Sequence, residues 1–582
     1  MKQAIEKIRR KFARWLTQQR TLRRRKLHVV RLEDRRLPDA TFGAALGALT
    51  LDGFDGGDSL NVEFDSSANL FHFSLTDGHW DSTCSGDPGF QLSPDGRLLT
   101  FSASSLQELR IDATSSASGG LTPLSVTDST RGIAVGQLTI LGAGSVVLDS
   151  AANDFDHLAI SAERLDLFDS DDVSIQSLDI HHDFTLTAAA AITDTAGTTI
   201  LVGGHAQIVG STIVLGDDVA DSIHFGSLSF HATGAVSISE ADDMVLSGSS
   251  TADSLTLYSG GSITDDGTAD LHINELAHFD ADAIELDDTY SFGSLTASSR
   301  SRGISISESD DMSVAEITSA AGIHLSSAGE IHLTADSYVL AGHHTEIMLT
   351  ASTNITIGDG ATIQAEGGNV LMDAGPHGDL IVSGAIDVSD LESGEIGGTV
   401  HLLGARVALF DGAIIDASGD TGGGTVLIGG DYQGANVAIH NAARSFVGSE
   451  ATISADAITT DNGGRVIVWS DNSTEFFGML SARGGKDGHG GFAEVSGKDL
   501  LAFSGSVDLT GELDGGTLLL DPKNITIADT ATPDVRTAND AFNENPGSSV
   551  TFDADTITTV TNNGTAVVLQ ASNDITINES II

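Results

Sequence analysis

Ser170-Asp171-Asp172-Val173-Ser174-Ile175 returns 71 residues later as Ala241-Asp242-Asp243-Met244-Val245-Leu246, and 68 residues after that as Ser309-Asp310-Asp311-Met312-Ser313-Val314. A second series keeps the same offsets: Leu186 to Asp194 (LTAAAAITD), Leu257 to Asp265 (LYSGGSITD) and Leu325 to Leu333 (LSSAGEIHL). Phe225-Gly226-Ser227-Leu228 comes back as Phe292-Gly293-Ser294-Leu295, with a small deletion. Self-similarity at a fixed period is the mark of a repeat architecture. The unit of about 70 residues consists of short Val/Ile/Leu/Thr runs broken by Gly, Asp, Asn and Ser, which read as strands and turns. Alternation in Val236-Ser237-Ile238 and Leu255-Thr256-Leu257 gives each run one apolar face. These observations predict an all-β fold, a parallel β-helix (β-solenoid) whose unit divides into three coils of roughly 23 residues. A β-propeller with one long blade per unit is the rival. The drift in unit length and the shorter sub-repeats downstream favour the solenoid.

Downstream, a Gly-Gly-x-Val/Leu step recurs as Gly397-Gly398-Thr399-Val400, Gly423-Gly424-Thr425-Val426, Gly463-Gly464-Arg465-Val466 and Gly515-Gly516-Thr517-Leu518. Gly490-Gly491-Phe492 takes the same place, so the second glycines are spaced by 26, 40, 27 and 25 residues. Nine to twelve residues before them lie Ile386-Asp387, Ile415-Asp416, Ile453-Ser454, Leu480-Ser481 and Val507-Asp508. Glycine is needed where a corner requires positive φ or where coils approach closely. The 40-residue gap predicts an insertion near Asp431 to Ser445, a loop leaving the shaft.

The 582 residues are 40% apolar but only 5% aromatic, which predicts an aliphatic core. After about residue 40 no helix-period stretch competes with the alternating pattern. Cys84 is the only cysteine, which excludes an intrachain disulfide. No run of 18 or more apolar residues is present, so no transmembrane helix is expected. The net charge is −54, unevenly placed. Residues 1–36 hold 14 of the 28 basic residues against Glu6, Glu33 and Asp34, and the rest carries 79 acidic and 14 basic residues. Such a body repels nucleic-acid phosphates and attracts divalent cations or basic surfaces; plain solubility is the simpler reading.

In the basic segment, Ile5, Ile8, Phe12, Trp15 and Leu16 recur at helical spacing. That reads as a short basic amphipathic helix touching a membrane or export machinery, or as a disordered tail. The 7–15-residue apolar core of an ordinary secretory signal is missing before residue 40. Arg31-Leu32-Glu33-Asp34-Arg35-Arg36-Leu37-Pro38-Asp39-Ala40 resembles the LEPR-x-L-L segment that opens many planctomycete surface proteins, with Asp34 in place of Pro and Pro38 where a second Leu is usual. The resemblance implies export to the cell surface.

A longer resemblance follows from an ordered pattern: Asp431-Tyr432-Gln433-Gly434, Val447-Gly448, Ala451-Thr452-Ile453-Ser454-Ala455-Asp456-Ala457, then Gly463-Gly464-Arg465-Val466-Ile467-Val468-Trp469-Ser470-Asp471. It continues through Phe477-Gly478, Ser481-Ala482-Arg483-Gly484-Gly485 and Gly490-Gly491-Phe492-Ala493-Glu494-Val495-Ser496-Gly497-Lys498, and closes on Gly516-Thr517-Leu518-Leu519-Leu520-Asp521-Pro522-Lys523-Asn524-Ile525. Leu569-Gln570-Ala571-Ser572-Asn573-Asp574-Ile575-Thr576-Ile577 fits the same texture, with an earlier echo at Leu349 to Ile357. This order is similar to that of filamentous-haemagglutinin-like bacterial exoproteins. The resemblance implies a right-handed parallel β-helix, an extracellular, cell-surface or outer-membrane location, and an adhesive or surface-layer role. The partners it implies are extracellular matrix, a cell-surface glycan or protein, a further copy of itself, and an outer-membrane export partner. Family members exported through a dedicated partner usually carry Asn-Pro-Asn-Gly-type motifs, which this sequence lacks.

Candidate sites are few. The pairs Asp171/Asp172, Asp242/Asp243 and Asp310/Asp311 occupy equivalent turns and, if stacked, would form an oxygen-rich column for Ca²⁺; Asp is also an ordinary turn residue. Asp55-Gly56-Gly57-Asp58-Ser59-Leu60 is a partial match to a calcium-binding repeat. The adjacent pairs His181/His182 and His343/His344 read as poor chelators, since neighbours on a strand point to opposite faces. Arg465, Arg483, Lys486 and Lys498 cluster in sequence, but the body is short of basic residues for lyase chemistry, and no nucleophile elbow, phosphate loop or zinc spacing stands out.

The expected organisation is a basic targeting segment at 1–40, a degenerate solenoid at 41–365, a Gly-Gly-step solenoid at 366–527, and a loop plus further coil at 528–582 that stops within strand-like sequence, as a fragment would. The expected function is an exported structural or adhesin-like shaft and not an enzyme, with no catalytic residue and no cofactor beyond Ca²⁺. The alternatives are a glycan-active lyase or hydrolase with an Asp/Glu/Arg groove, and a calcium-binding surface-layer protein.

Overall fold

A computed structural model describes residues 40–45, 48–54, 58–76, 78–81, 90–102, 106–114, 124–527 and 551–581. The basic segment 1–39, Cys84 and Asp55-Gly56-Gly57 lie outside the described residues. The chain is 60% strand and 2% helix, and forms a parallel β-solenoid of about 17 turns. A propeller pairs successive strands within one repeat; here each strand from 134 to 497 pairs in parallel with the strand one coil on.

Inward positions stack into ladders. Val370, Val400, Val426, Val466, Ala493 and Leu518 form one. The residues that precede the glycine steps in sequence, Ile386, Ile415, Ile453, Leu480 and Val507, form another. All are buried. Short strands such as Ala385–Asp387 contribute one such side chain and Asn369–Asp373 two, and burying one is worth roughly 1.5–3 kcal/mol. Backbone bonds between coils satisfy the N–H and C=O groups that this burial removes from water.

The unit of about 70 residues is not three coils. From Leu165 the ladder climbs through Phe184 and Ala206 to Leu228, and the chain then turns to the next face at Val236. From Val236 it climbs through Leu255 and Ala277 to Leu295, then turns again to Ile304. Leu165, Val236 and Ile304 hold equivalent places in the repeat: Val236 stands on a different face from Leu165, while the stack above Leu228 runs through Leu246, in the strand of Met244, and on to the strand of Ile304, back on the side of Leu165. Rungs here are 18 to 22 residues apart, shorter than the 23 expected, so each unit winds three coils and one further face.

The two ends depart from the sequence reading. Strands Thr41–Ala45 with Ala48–Asp52, Ser59–Asp65 with Leu70–Leu75, and Leu98–Ser102 with both Leu70–Leu75 and Phe90–Leu92 pair antiparallel. They join the first coil through parallel pairs with Glu108–Asp112 and Ser125–Asp128. Aromatics gather here: Phe42 and Phe54 meet Trp80 edge-on, and the Trp80 indole N–H donates to the carbonyl of Phe73 at 3.1 Å. The ladders are mainly aliphatic, with aromatic rungs such as Phe184, Phe279 and Phe476, and the aromatic residues crowd together at this end. Near the other end, helix Ala554–Asn562 stands where a third strand of the coil is due, and it buries Ala554, Ile557 and Val560. Its Thr and Ile residues favour strand by propensity, but apolar side chains three apart fit only a helix against this core.

Candidate functional site

The three Asp pairs sit at corners, and the extra face per unit carries each pair to a different corner from the pair before it. No column of pairs forms. Instead the second Asp of each pair does one repeated job. Asp172 Oδ1 accepts the N–H of Ala191 at 2.8 Å, Asp243 Oδ1 that of Ser262 at 2.7 Å, and Asp311 Oδ1 that of Glu330 at 3.0 Å, each 19 residues on. The first Asp of each pair offers its backbone carbonyl to the same next corner, received by Ala190, Gly261 and Gly329. The two repeat motifs in the sequence are thus vertical neighbours: the Ala-Ala, Gly-Gly and Ala-Gly steps lie directly over the Asp pairs. Asp242 also meets His224 Nδ1 at 2.7 Å, and Asp310 accepts from the Ser291 hydroxyl at 2.7 Å.

Beneath each corner lies a carboxyl group that the sequence reading missed. Asp169, Glu240 and Glu308, each two residues before the first Asp of its pair, point into the core and are buried. Asp169 Oδ2 accepts the N–H of Phe155 at 2.8 Å, Glu240 Oε2 that of Phe225 at 3.1 Å, and Glu308 Oε2 that of Phe292 at 3.3 Å. The cause is the corner. Ser170, Ala241 and Ser309 reach down to the carbonyls of Asn153, Ile223 and Tyr290, where the coil above turns away from the Phe strand. The carboxyl fills the place of the missing strand carbonyl. Burial pushes Asp169 up to about 7 and both Glu240 and Glu308 up to about 8, and the nearby Asp of the corner adds to the shift. Glu240 Oε1 and Glu308 Oε1 have no hydrogen-bond partner, as suits a neutral acid. The signal was present in the sequence: each acid holds the inward parity of its strand, after Leu165 and Leu167, Val236 and Ile238, or Ile304 and Ile306.

Both histidine pairs lie at corners rather than on strands. His181 Nδ1 and His182 Nε2 straddle the exposed Glu163 carboxylate at 3.2 and 3.5 Å. His343 and His344 converge, which overturns the expectation of opposite faces. A φ of 57° at His344 swings its ring beside that of His343, and the two stack with centroids 3.8 Å apart. Of the basic residues, Arg465 is paired with Asp431 at 2.6 Å and Arg483 with Asp456 at 2.7 Å.

The glycine steps build a surface. Each second glycine, at 424, 464, 491 and 516, lies over the carbonyl of its counterpart one coil below, closer than any Cβ could approach. None of the four has a left-handed φ, so close approach, and not corner geometry, is what requires glycine here. The steps floor an open trough of about 560 Å³, walled by the in-register Thr425, Arg465, Phe492 and Thr517 and by Asn462 and His489.

The insertion after strand Thr425–Ile428 does not leave the shaft. Residues 429–443 fold across its outer face as a flap. Asp431 holds Arg465, the Gln433 N–H donates to Glu494 at 3.1 Å, and His440 reaches Asp373 at 2.9 Å. Ile439 packs on the buried outward side chains Leu427, Ile467 and Trp469. Tyr432 meets Phe492 edge-on at 5.8 Å on the rim of the trough.

The class defined by this geometry is a parallel β-solenoid with an antiparallel N-terminal cap and one surface flap. No protein-family model matches the chain, and no curated protein matches it. Among solved structures, the crystal structure of the HMW1 secretion domain from Haemophilus influenzae is similar to it at 17% identity, over 60% of this chain and 89% of that one, with a TM-score of 0.30.

Proposed function

We propose that the chain is the rigid shaft of an exported, surface-associated protein that contacts other cells or matrix, and that it does no chemistry of its own. The observation that carries this reading is the unbroken stack of about 17 parallel coils. Such a stack couples every coil only to its neighbours and gives length and stiffness rather than a closed cleft. The trough supports the same reading: its floor is peptide backbone, and the Arg465 beside it is held by Asp431. Tyr432 and Phe492 on its rim offer aromatic surface of the kind that a glycan or protein partner uses. A glycan-active enzyme would instead need carboxylates and a cation facing one another across a groove.

Immunogold labelling of the native organism tests the location, with gold expected at the cell envelope; labelling confined to the cytoplasm would overturn the proposal. Incubation with uronate polymers tests the chemistry, and release of reducing sugar would move the assignment to an enzyme.

A further inference from the structure

We propose that His343, His344 and Asp390 form a site for one divalent transition-metal ion such as Zn²⁺, with Glu395 as a fourth ligand, stapling three successive coils. His343 Nε2 and His344 Nε2 lie 2.8 and 2.9 Å from the same oxygen, Asp390 Oδ2, and Glu395 Oε2 is 3.5 Å from His344 Nε2. Ligand atoms bound to tetrahedral zinc at roughly 2.0–2.1 Å stand roughly 3.3 Å apart. The atoms of His343, His344 and Asp390 therefore already lie within the span of one coordination shell, and Glu395, beside His344, completes it by a turn of its side chain.

Three features set the cluster apart from a surface ion pair. First, Asp390 is completely buried and fixed: its Oδ1 accepts the Glu392 N–H at 3.1 Å, and its own N–H donates to the Ser418 carbonyl at 2.9 Å, which aims Oδ2 at the two rings. Second, His344 holds a left-handed φ of 57°, a conformation a histidine rarely adopts without something to gain. Third, the corner of the coil between them is Gly367. His344 bonds to Glu366 below that corner, and the Gly367 N–H donates to Ser389 above it. A Cβ on Gly367 would run into both Asp390 Oδ2 and the His344 ring. The glycine is a window through which residues two coils apart meet.

Two imidazoles and carboxylate oxygens suit Zn²⁺, Ni²⁺ or Cu²⁺, whereas Ca²⁺ takes six to eight oxygens. Two other groups converge among the described residues, His224/Glu240/Asp242 and Asp194/Asp217/Asp221. Glu240 Oε2 is occupied by Phe225 N–H, and Asp194 and Asp221 are occupied by backbone N–H groups of Gly216, Gly197 and Thr198. The corner at His343 differs from both in bringing two imidazole nitrogens to one buried carboxylate oxygen, Asp390 Oδ2.

The test uses the full chain, stripped with chelator and titrated calorimetrically with Zn²⁺ in excess Ca²⁺, which occupies carboxylate-only sites. One tight ion per chain is expected. His343→Ala/His344→Ala changes two exposed rings, so the coil is retained, and it should weaken that binding by about tenfold or more. His181→Ala/His182→Ala should leave it unchanged. Co²⁺ gives a second readout, a visible tetrahedral absorption band present in the parent and absent from the His343→Ala/His344→Ala chain. Equal Zn²⁺ affinity in the parent and that variant, or an identical Co²⁺ spectrum, would overturn the site. Neither result depends on where the protein is located in the cell.

Discussion

Glu240 holds the backbone N–H of Phe225 from inside the coil at 3.1 Å, and Glu308 holds that of Phe292 in the same way one unit later. Both acids are raised from 4.5 to about 8 by burial. A raised acid stabilises the fold fully below its unfolded value, and that contribution is lost as pH climbs through the folded value. The shaft should therefore be most stable near pH 5 and lose stability between about pH 5 and 9, on the order of 4 kcal/mol for each acid. Glu240→Gln keeps an acceptor and cannot ionise, so it should flatten this slope in denaturant unfolding followed across pH. An unchanged slope would show that Glu240 is ionised in the fold.

The corner aspartates should behave alike although they do not all stand on one face. Asp172→Ala, Asp243→Ala and Asp311→Ala each remove one tie to the coil above, and each should cost about 1 kcal/mol. Thermal unfolding of the three variants checks this. Widely unequal shifts would mean that the repeated bond does not carry the effect.

Gly464→Ala places a Cβ against the Gly424 carbonyl and must pry two coils apart. A loss of about 3 kcal/mol is expected. Gly43→Ala, where nothing lies within 4 Å, should change stability by no more than about 0.5 kcal/mol. Chemical denaturation of both variants makes the comparison.

Ile439→Asp should lift the flap. Leu427, Ile467 and Trp469, now covered, would then meet water. A red shift in tryptophan emission and increased binding of a hydrophobic dye are expected, without loss of the far-ultraviolet β signal. Unchanged emission would mean that the flap does not seal this face.

The ladders were legible because alternation survives in Val236-Ser237-Ile238 and because Ile386, Ile415, Ile453, Leu480 and Val507 keep their distance from the glycine steps. The corners were not. A repeat length counts residues, not turns, and coils of 18 to 22 residues can be summed in more than one way. The acids at 169, 240 and 308 were hidden among 82 acidic residues until their inward parity was seen. The meeting of His343, His344 and Asp390 depends on a left-handed residue and on a missing Cβ in the coil next to it, neither of which leaves a periodic trace. Helix Ala554–Asn562 is set by the core it covers, not by its own Thr-rich residues.

A repeat that wound a whole number of turns would paint a stripe down one side of a rod. This one behaves as a spiral staircase. Each added unit lifts the Asp-Asp step by about 16 Å and swings it to another side, and the second unit brings it back to the side of the first. Growth by copying such a unit lengthens the rod and sets the same feature on alternating sides, so that surfaces approaching from different directions meet it.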